Sequence, residues 1–249
     1  MIDLAQLSPW LWLVAPVVIL VAYTVFGLTG FGATAISVPV LAHFLPIPFI
    51  VPMVVLLDMV SSGMVGIANR EQISKEELKR LLPWMFLGFV LGATVLVGVP
   101  DRWLRVGLGA FAMALGVHGI VNPTLGSTIS KLWAIPAGVV GGAIATIFGA
   151  GGPLYATYMA GRTPDKGAIR STISTLIAIS AVSRAAIYAV SGLLLHVAIF
   201  AGALALAPFV WLGVRLGGRI HTGLSNEQVR RVVGGVLVFT GLGLLLRAL

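Results

Sequence analysis

The longest uncharged stretch of the chain constrains its fold more than any other feature. Residues 4–57 contain no Asp, Glu, Lys or Arg, whereas one helix needs only about 20 apolar residues to cross a bilayer. Several membrane-spanning segments must therefore lie inside this stretch. The composition agrees, because 58% of all residues are hydrophobic and 10% are charged, against about 25% charged in soluble domains. The sequence predicts an integral protein of the cell membrane.

Uncharged runs of about 18 residues mark the membrane segments. None of these runs alternates between apolar and polar residues, so helices are predicted rather than the strands of a barrel. The stretches between them are too short for a soluble catalytic or nucleic-acid-binding domain, and the net charge of +8 is assigned to cytoplasmic loops. The runs cover residues 10–30, 48–68, 81–98, 103–121, 132–149, 171–190, 192–214 and 231–247.

The chain repeats itself at a fixed spacing, which indicates an internal duplication. Pro83, Gly88, Gly92, Arg105, Gly109 and Gly116 recur 125 positions later as Pro208, Gly213, Gly217, Arg230, Gly234 and Gly241. Upstream, the glycines at 30 and 32 recur at an offset of 119, and the difference fits an insertion near residues 162–167. We predict one integral membrane domain built of two repeats, residues 1–125 and 126–249.

The distribution of Lys and Arg predicts how the two repeats are oriented. If every run crosses the membrane, one side receives six of these residues and the other nine, which is no bias. If the segments 10–44 and 132–161 each break and return to the membrane face on which they began, one side receives twelve Lys and Arg residues and the other three. The richer side, which includes residues 72–79, is then cytoplasmic. Each repeat has three full crossings, an odd number, so the halves are inverted and both termini are external. Parallel halves remain the alternative.

The predicted fold class is therefore an all-α polytopic membrane protein with two inverted repeats, each a broken re-entrant helix hairpin plus three transmembrane helices. Inverted repeats are typical of secondary transporters, whose substrate sites lie near the bilayer midplane where broken helices meet.

Two glycine-rich sequences, residues 27–34 and 148–153, predict where the helices break. Closely spaced glycines do not hold a regular helix, and Pro153 suits the first turn of a new one. A helix that begins near Thr34 or Pro153 directs its positive dipole end and free N–H groups into the break, which favours an anion. Helix packing through small residues is the alternative. The residues predicted here to bind substrate are Gly30, Gly32, Thr34, Gly149, Gly151 and Gly152.

The same motifs resemble those of the TauE/SafE sulfite exporter family. The family pattern is Gly-x-Gly-Gly-Gly, four residues and then Pro, once near the start and once at mid-chain. Gly30, Gly32 and Pro39 match in the first copy, with Ala33 and Thr34 in place of two glycines. In the second copy Gly149, Gly151 and Gly152 match, Pro153 replaces the last glycine, and Tyr158 stands where the proline would be. The resemblance implies transport of small sulfur-containing anions, such as sulfite or organosulfonates, coupled to an ion gradient.

Two charged residues fall well within the predicted spans. Asp58 lies halfway along its run and Arg184 lies in the outer half of residues 171–190. A charge at the bilayer centre costs about 2.5–3.5 kcal/mol or more, so both side chains should face the protein interior. Arg184 is predicted to attract the substrate anion and Asp58 to carry a coupling proton or cation. A purely structural ion pair between them is the alternative.

Hydroxyl groups are concentrated between residues 155 and 183 and can donate to oxyanions without the desolvation cost of a full charge. Tyr155 and Ser180 are the two predicted to touch the substrate. No cysteine is present, and the histidines lack partners at metal-ligand spacing, so no metal or cofactor is predicted. Residues 71–80 mix basic and acidic side chains and are interpreted as a solvated cytoplasmic helix or loop.

The predicted function is thus a secondary transporter for small anions and not an enzyme. A passive anion channel is one alternative, because dipole ends and hydroxyls also line pores. A membrane lipid-pyrophosphate phosphatase is a second, although such chemistry gathers acidic and basic groups around metal and phosphate. The expected partners are a small anion, the lipid bilayer and a coupling ion, with no nucleic acid, and the oligomeric state is left open.

Overall fold

The chain forms a bundle of α-helices. The computed structural model describes residues 9–66, 72–121, 129–219 and 226–248, and these contain no strand. Their helices are α1 (Pro9–Thr29), α2 (Ala33–Leu41), α3 (Ile47–Gly66), α4 (Lys75–Gly98), α5 (Asp101–Val121), α6 (Ala134–Phe148), α7 (Gly152–Ala160), α8 (Lys166–Val190), α9 (Val197–Arg219) and α10 (Asn226–Ala248). A single 3-10 turn, Lys131–Trp133, precedes α6. The all-helical prediction is confirmed.

Seven helices within the described ranges are long and apolar enough to cross a membrane, and they coincide with the first seven predicted runs. The eighth run, residues 231–247, lies in α10. Helices α4, α8 and α10 begin at least one turn before their runs. The first turn of α4 contains Glu76 and Glu77, which suit the positive end of the helix dipole. At the start of α8 the Asp165 side chain accepts a hydrogen bond from the Gly167 N–H, as an N-cap should.

The glycines that recur at an offset of 125 lie where helices pack closely. A Cβ at Gly92 of α4 would lie 2.7 Å from the Ala143 carbonyl of α6, and a Cβ at Gly213 of α9 would lie 2.7 Å from the Leu20 carbonyl of α1. Small residues let membrane helices approach to this distance, because lipid supplies no hydrophobic force between them. The packing interpretation, offered above as an alternative for the glycine motifs, therefore applies to these repeated glycines.

The direction of each close helix pair follows from which glycines meet. In the pair formed by α1 and α9, Leu20 meets Gly213 and, further along both helices, Gly27 meets Gly217. Residue numbers therefore increase in the same direction along both helices, which are parallel. Helices α4 and α6 are parallel in the same way. Helices α5 and α10 are antiparallel, because Gly109 meets Gly241 whereas Gly116 meets Gly234.

The second broken segment returns to the side on which it starts. Ile129, just before α6, donates its N–H to the Gly161 carbonyl at the end of α7 over 2.9 Å. The Arg162 guanidinium donates to the Ile129 carbonyl over 3.0 Å. The start of α6 and the end of α7 are therefore adjacent, and the break between them lies deeper in the bundle.

Residues 75–80 are exposed or half-buried, as a solvated helix should be, at every position except one. They form the start of α4, and Glu77 is buried against Tyr158 and Arg162. The mixed charges of this segment hid that role, because a charged run on a helix is usually a solvated face. Glu71 lies outside the described residues.

Candidate functional site

Both glycine motifs break their helices. Gly30 and Gly32, between α1 and α2, have φ values of 82° and 95°, and Gly149, between α6 and α7, has a φ of 75°. This left-handed region is open to glycine and strained for residues with a Cβ. Gly151 differs, because its φ is −71°. A Cβ there would lie 2.6 Å from the Gly141 carbonyl, so Gly151 is required by close packing.

The two breaks touch each other. Thr34, in the first turn of α2, donates its hydroxyl to the Gly149 carbonyl over 2.6 Å. Gly152, at the start of α7, faces Phe31, where a Cβ would lie 3.2 Å from the Phe31 Cβ. The N-terminal ends of both half-helices therefore meet inside the bundle, although their sequences lie far apart.

A small cavity of about 20 Å³ lies where the breaks meet. This volume holds roughly one water-sized occupant. The structure brings nine of the ten predicted site residues to its wall: Gly32, Thr34, Asp58, Gly149, Gly151, Gly152, Tyr155, Ser180 and Arg184. The tenth, Gly30, does not line the cavity and faces Arg170 and Ser174 of α8.

Arg184 joins three helices at the cavity wall and is buried. Its Nε donates to the Ser180 hydroxyl over 3.1 Å, one Nη donates to the Ala145 carbonyl over 2.8 Å, and the other Nη donates to Asp58 over 3.3 Å. A guanidinium carries five N–H donors. The bonds named here use three of the five, and the Tyr188 hydroxyl lies within reach of the same guanidinium.

Asp58 is held by partners on two helices. Its Oδ2 pairs with Arg184 of α8, and its Oδ1 accepts a hydrogen bond of 2.9 Å from the Tyr23 hydroxyl of α1. All three side chains are buried. The ion pair considered in the sequence analysis is therefore present, and it forms part of the cavity wall.

The carbonyl end of α6 also faces α8. Arg184 binds the Ala145 carbonyl, and Tyr188, one turn further along α8, donates its hydroxyl to the Thr146 carbonyl over 2.6 Å. Carbonyls in the last turn of a helix carry the negative end of the dipole. The Ala145 carbonyl also accepts the Gly149 N–H over 2.9 Å, so Arg184 is its second donor, and Tyr188 supplies a donor to Thr146 directly beside the break.

Tyr155 is the unpartnered donor of the site. Its ring packs over Gly141 and Gly151, it is buried, and its hydroxyl has no hydrogen-bond partner among the described residues. A buried hydroxyl without a partner costs about 1–3 kcal/mol. A ligand oxygen in the cavity that Tyr155 lines would supply the missing acceptor.

Sequence reasoning missed Tyr23 and Tyr188. Tyr188 follows Arg184 by one helical turn, and Tyr23 precedes Gly30 by about two turns, so their spacing placed both on the faces that carry the site. Buried tyrosine hydroxyls in an apolar helix need partners, and that need was the available signal. Within the described residues no group of three His, Asp or Glu side chains is arranged to hold a metal ion.

Comparison with known proteins assigns the chain to a family. A family model described as Sulfite exporter TauE/SafE matches residues 15–244, which include both breaks and every residue named at the cavity. A similar protein from Comamonas testosteroni, described as "Probable inner membrane transporter protein TsaS", is 24% identical over 193 residues, which are 77% of this chain and 81% of that protein. No solved structure matches the chain. The resemblance found in the sequence is thereby confirmed, and the chain belongs to the TauE/SafE sulfite exporter family of membrane transporters.

Proposed function

We propose that the chain is a secondary transporter in the cell membrane for small sulfur-containing anions, such as sulfite or an organosulfonate, with its substrate site at the cavity between the two breaks. One observation carries the proposal. A buried guanidinium, a buried hydroxyl without a partner and the N-terminal ends of two half-helices all lie at one small cavity.

The donors suit an oxyanion with several oxygens. Arg184 offers directed N–H groups and Tyr155 offers a hydroxyl, while the first turn of α2 adds amide N–H groups that have no intrahelical acceptor. These groups act in a buried site, where charge-assisted hydrogen bonds are strong. A cavity of about 20 Å³ is smaller than such an anion, so substrate entry requires the walls to separate.

Asp58 gives the site a route to ion coupling. The arriving anion and the Asp58 carboxylate both require Arg184, and two negative charges around one buried guanidinium repel each other. Taking up a proton on Asp58, with Tyr23 and Arg184 beside it, removes that repulsion. Anion binding and proton binding then favour each other, which is what coupled transport requires.

The helix packing supports the inverted arrangement of the two halves. Under the repeat register, α5 and α10 are equivalent helices, and they are antiparallel. The parallel pair formed by α1 and α9 has its equivalent in the parallel pair formed by α6 and α4. A two-fold axis in the membrane plane relates pairs in this way. We propose that the halves are inverted and that the mobile elements are the half-helices α2 and α7.

The small volume of the cavity, about 20 Å³, favours a carrier over a passive channel, because a channel needs a continuous path between the two membrane faces. The phosphatase alternative is not proposed, since the chain belongs to a family of transporters.

Reconstitution into proteoliposomes tests the proposal. We expect saturable uptake of sulfite or an organosulfonate that is driven by a proton gradient and that exchanges with internal anion. Sulfate, thiosulfate, taurine and small carboxylates form the competition panel. Flux that does not saturate and ignores the gradient would show a channel. Saturable flux per folded molecule that persists unchanged after Arg184→Gln would remove the cavity as the site.

A further inference from the structure

We propose that two charge clusters at the outer ends of α7 and α2 act as positioning residues, each holding one half-helix so that its N-terminal end faces the anion cavity. The Glu77 cluster consists of Glu77, Tyr158 and Arg162. The Asp101 cluster consists of Asp101 and Arg105. Neither cluster lines the cavity, so each acts on the site through the helix it holds.

The Glu77 cluster fastens the end of α7 to the start of α4. Tyr158 of α7 donates its hydroxyl to Glu77 Oε2 over 2.5 Å, and Arg162, directly after α7, donates from Nε and Nη2 to Glu77 Oε1 over 3.0 and 2.9 Å. The hydrogen bond to Glu77 raises the pKa of Arg162, so the guanidinium stays charged. Only 8% of the Glu77 side chain is exposed, which limits the screening of the pair by solvent.

The Asp101 cluster fastens the end of α2 to the start of α5. Arg105 donates to the Ala42 carbonyl, which caps α2, and over 3.1 Å to the Leu45 carbonyl. Arg105 Nε pairs with Asp101 Oδ2 over 2.6 Å. Asp101 Oδ1 accepts a hydrogen bond of 2.8 Å from the N–H of Ile47, the first residue of α3. One ion pair thus fixes both the end of α2 and the turn into α3.

The two clusters lie at opposite ends of α4. Glu77 is in the first turn of this 24-residue helix, and Asp101 lies three residues beyond its last residue. A helix of that length spans about 36 Å, enough to cross the hydrocarbon core. Since α2 and α7 both begin at the cavity, they run from it toward opposite membrane faces. Releasing one cluster frees a half-helix at one face and leaves the other half-helix held.

The consequence is a pair of variants with opposite effects. Loosening the Glu77 cluster should open the cavity toward the face at the start of α4, and loosening the Asp101 cluster should open it toward the face at the start of α5. This inference rests on the proposed function for the meaning of the cavity, but its test reads accessibility and does not depend on flux.

The experiment introduces one cysteine at the cavity wall, Ile177→Cys, into a chain that has none. A membrane-impermeant maleimide is then applied from each face in turn to reconstituted protein. In the Arg162→Gln and Tyr158→Phe backgrounds we expect labelling from the Glu77 face to rise about fivefold or more, with no rise from the opposite face. In the Arg105→Gln background the rise should come from the Asp101 face.

Arg80→Gln is the matched control. Arg80 binds the same Glu77 oxygen over 2.7 Å, but from within α4, so its loss removes a charge from Glu77 without releasing α7. An Arg80→Gln effect equal to that of Arg162→Gln would overturn the proposal. The proposal would also be overturned if variants of both clusters raised labelling from the same face. Unchanged labelling in folded Tyr158→Phe and Arg105→Gln proteins would overturn it as well. Protection of the cysteine by sulfite is scored separately, and its absence would count against the substrate site and not against the clusters.

Discussion

At the scale of single residues, the hydroxyl of Tyr155 differs from its neighbours because it has no partner within the described part of the chain. Tyr155→Phe removes a donor that only a ligand can use. We expect the apparent KM for the anion to rise about ten- to hundredfold, the loss of one hydrogen bond to a charged group. The free energy of unfolding should stay the same or rise, because a buried unsatisfied hydroxyl is removed. Flux titrations and thermal unfolding in detergent measure the two quantities.

Tyr188→Phe is the control for that experiment. Its hydroxyl donates to the Thr146 carbonyl at the end of α6, so its removal leaves a buried carbonyl without that donor. The free energy of unfolding should fall by about 1–3 kcal/mol. If the two phenylalanine variants have the same stability and the same KM, Tyr155 is not a substrate ligand.

The Asp58 and Arg184 pair makes a second prediction at this scale. Neutralising one member leaves an unpaired buried charge, so Asp58→Leu or Arg184→Leu alone should lower the free energy of unfolding by about 3–5 kcal/mol. Replacing both with apolar residues should recover most of that loss. The double variant should still fail to concentrate the anion against a gradient. A stable and fully active double variant would reduce the pair to a structural role.

Asp58→Asn separates coupling from binding. The amide keeps the shape and the hydrogen-bonding capacity of the carboxylate but does not titrate. The charged and titratable groups that face this position are Arg184 and Tyr188 from α8 and Tyr23 from α1. We expect anion exchange to continue while the dependence of uptake on a proton gradient disappears. Retention of that dependence would place the coupling group elsewhere.

Residue chemistry explains which parts of the site could be read from the sequence. Asp58 and Arg184 stand out because a charge inside an apolar run is costly unless it has a partner or a function. The glycines of the two motifs stand out because they are spaced too closely for a regular helix. Glu77 and Tyr23 were missed because their importance depends on a partner far along the chain, Arg162 for the first and Asp58 for the second. Such pairings are a property of the fold, and local sequence does not identify the partner.

At the scale of helices, the glycines separate into those that need a special backbone conformation and those that need space. Gly32 has a φ of 95° and nothing within 4 Å of the position its Cβ would take. Gly32→Ala should therefore strain the backbone by about 1–2 kcal/mol without any clash, and transport should fall more than folded yield. The measurement is anion flux in proteoliposomes, divided by the amount of folded protein.

Gly63 supplies the matched control for Gly32. It also has nothing within 4 Å of its Cβ position, but it lies inside α3 without a positive φ. Gly63→Ala should leave transport unchanged and should stabilise the protein by up to about 1 kcal/mol. Equal effects at the two positions would mean that the break at Gly32 has no special conformational requirement.

Helix boundaries show where sequence patterns are weakest. Runs of apolar residues located every long helix of the described residues but placed the starts of α4, α8 and α10 too late, because their first turns carry charged and polar residues that belong to the helix. For α4 these include Glu77, which is buried through a contact with α7. The helix breaks were predicted correctly at both motifs, since glycine spacing is a local property.

At the scale of the whole molecule, the proposed inverted topology is open to direct labelling. Single cysteines at residues 3 and 248 should react only from the external face, and cysteines within residues 72–79 should react only from the cytoplasmic face. The absence of native cysteine makes each signal unambiguous. Cytoplasmic labelling at both ends of the chain would contradict the re-entrant arrangement and with it the inversion.

The close packing of α1 on α9, and of α4 on α6, also bears on how the chain is made. Each of these pairs joins the two halves of the sequence. Helix α1 leaves the ribosome early, yet the glycine surface that fits its own Gly27 is synthesised only with residues 197–219. Until then α1 has only lipid or a transient neighbour against that face. We therefore expect insertion of α1 into the bilayer to precede its final packing, which must wait until α9 is made.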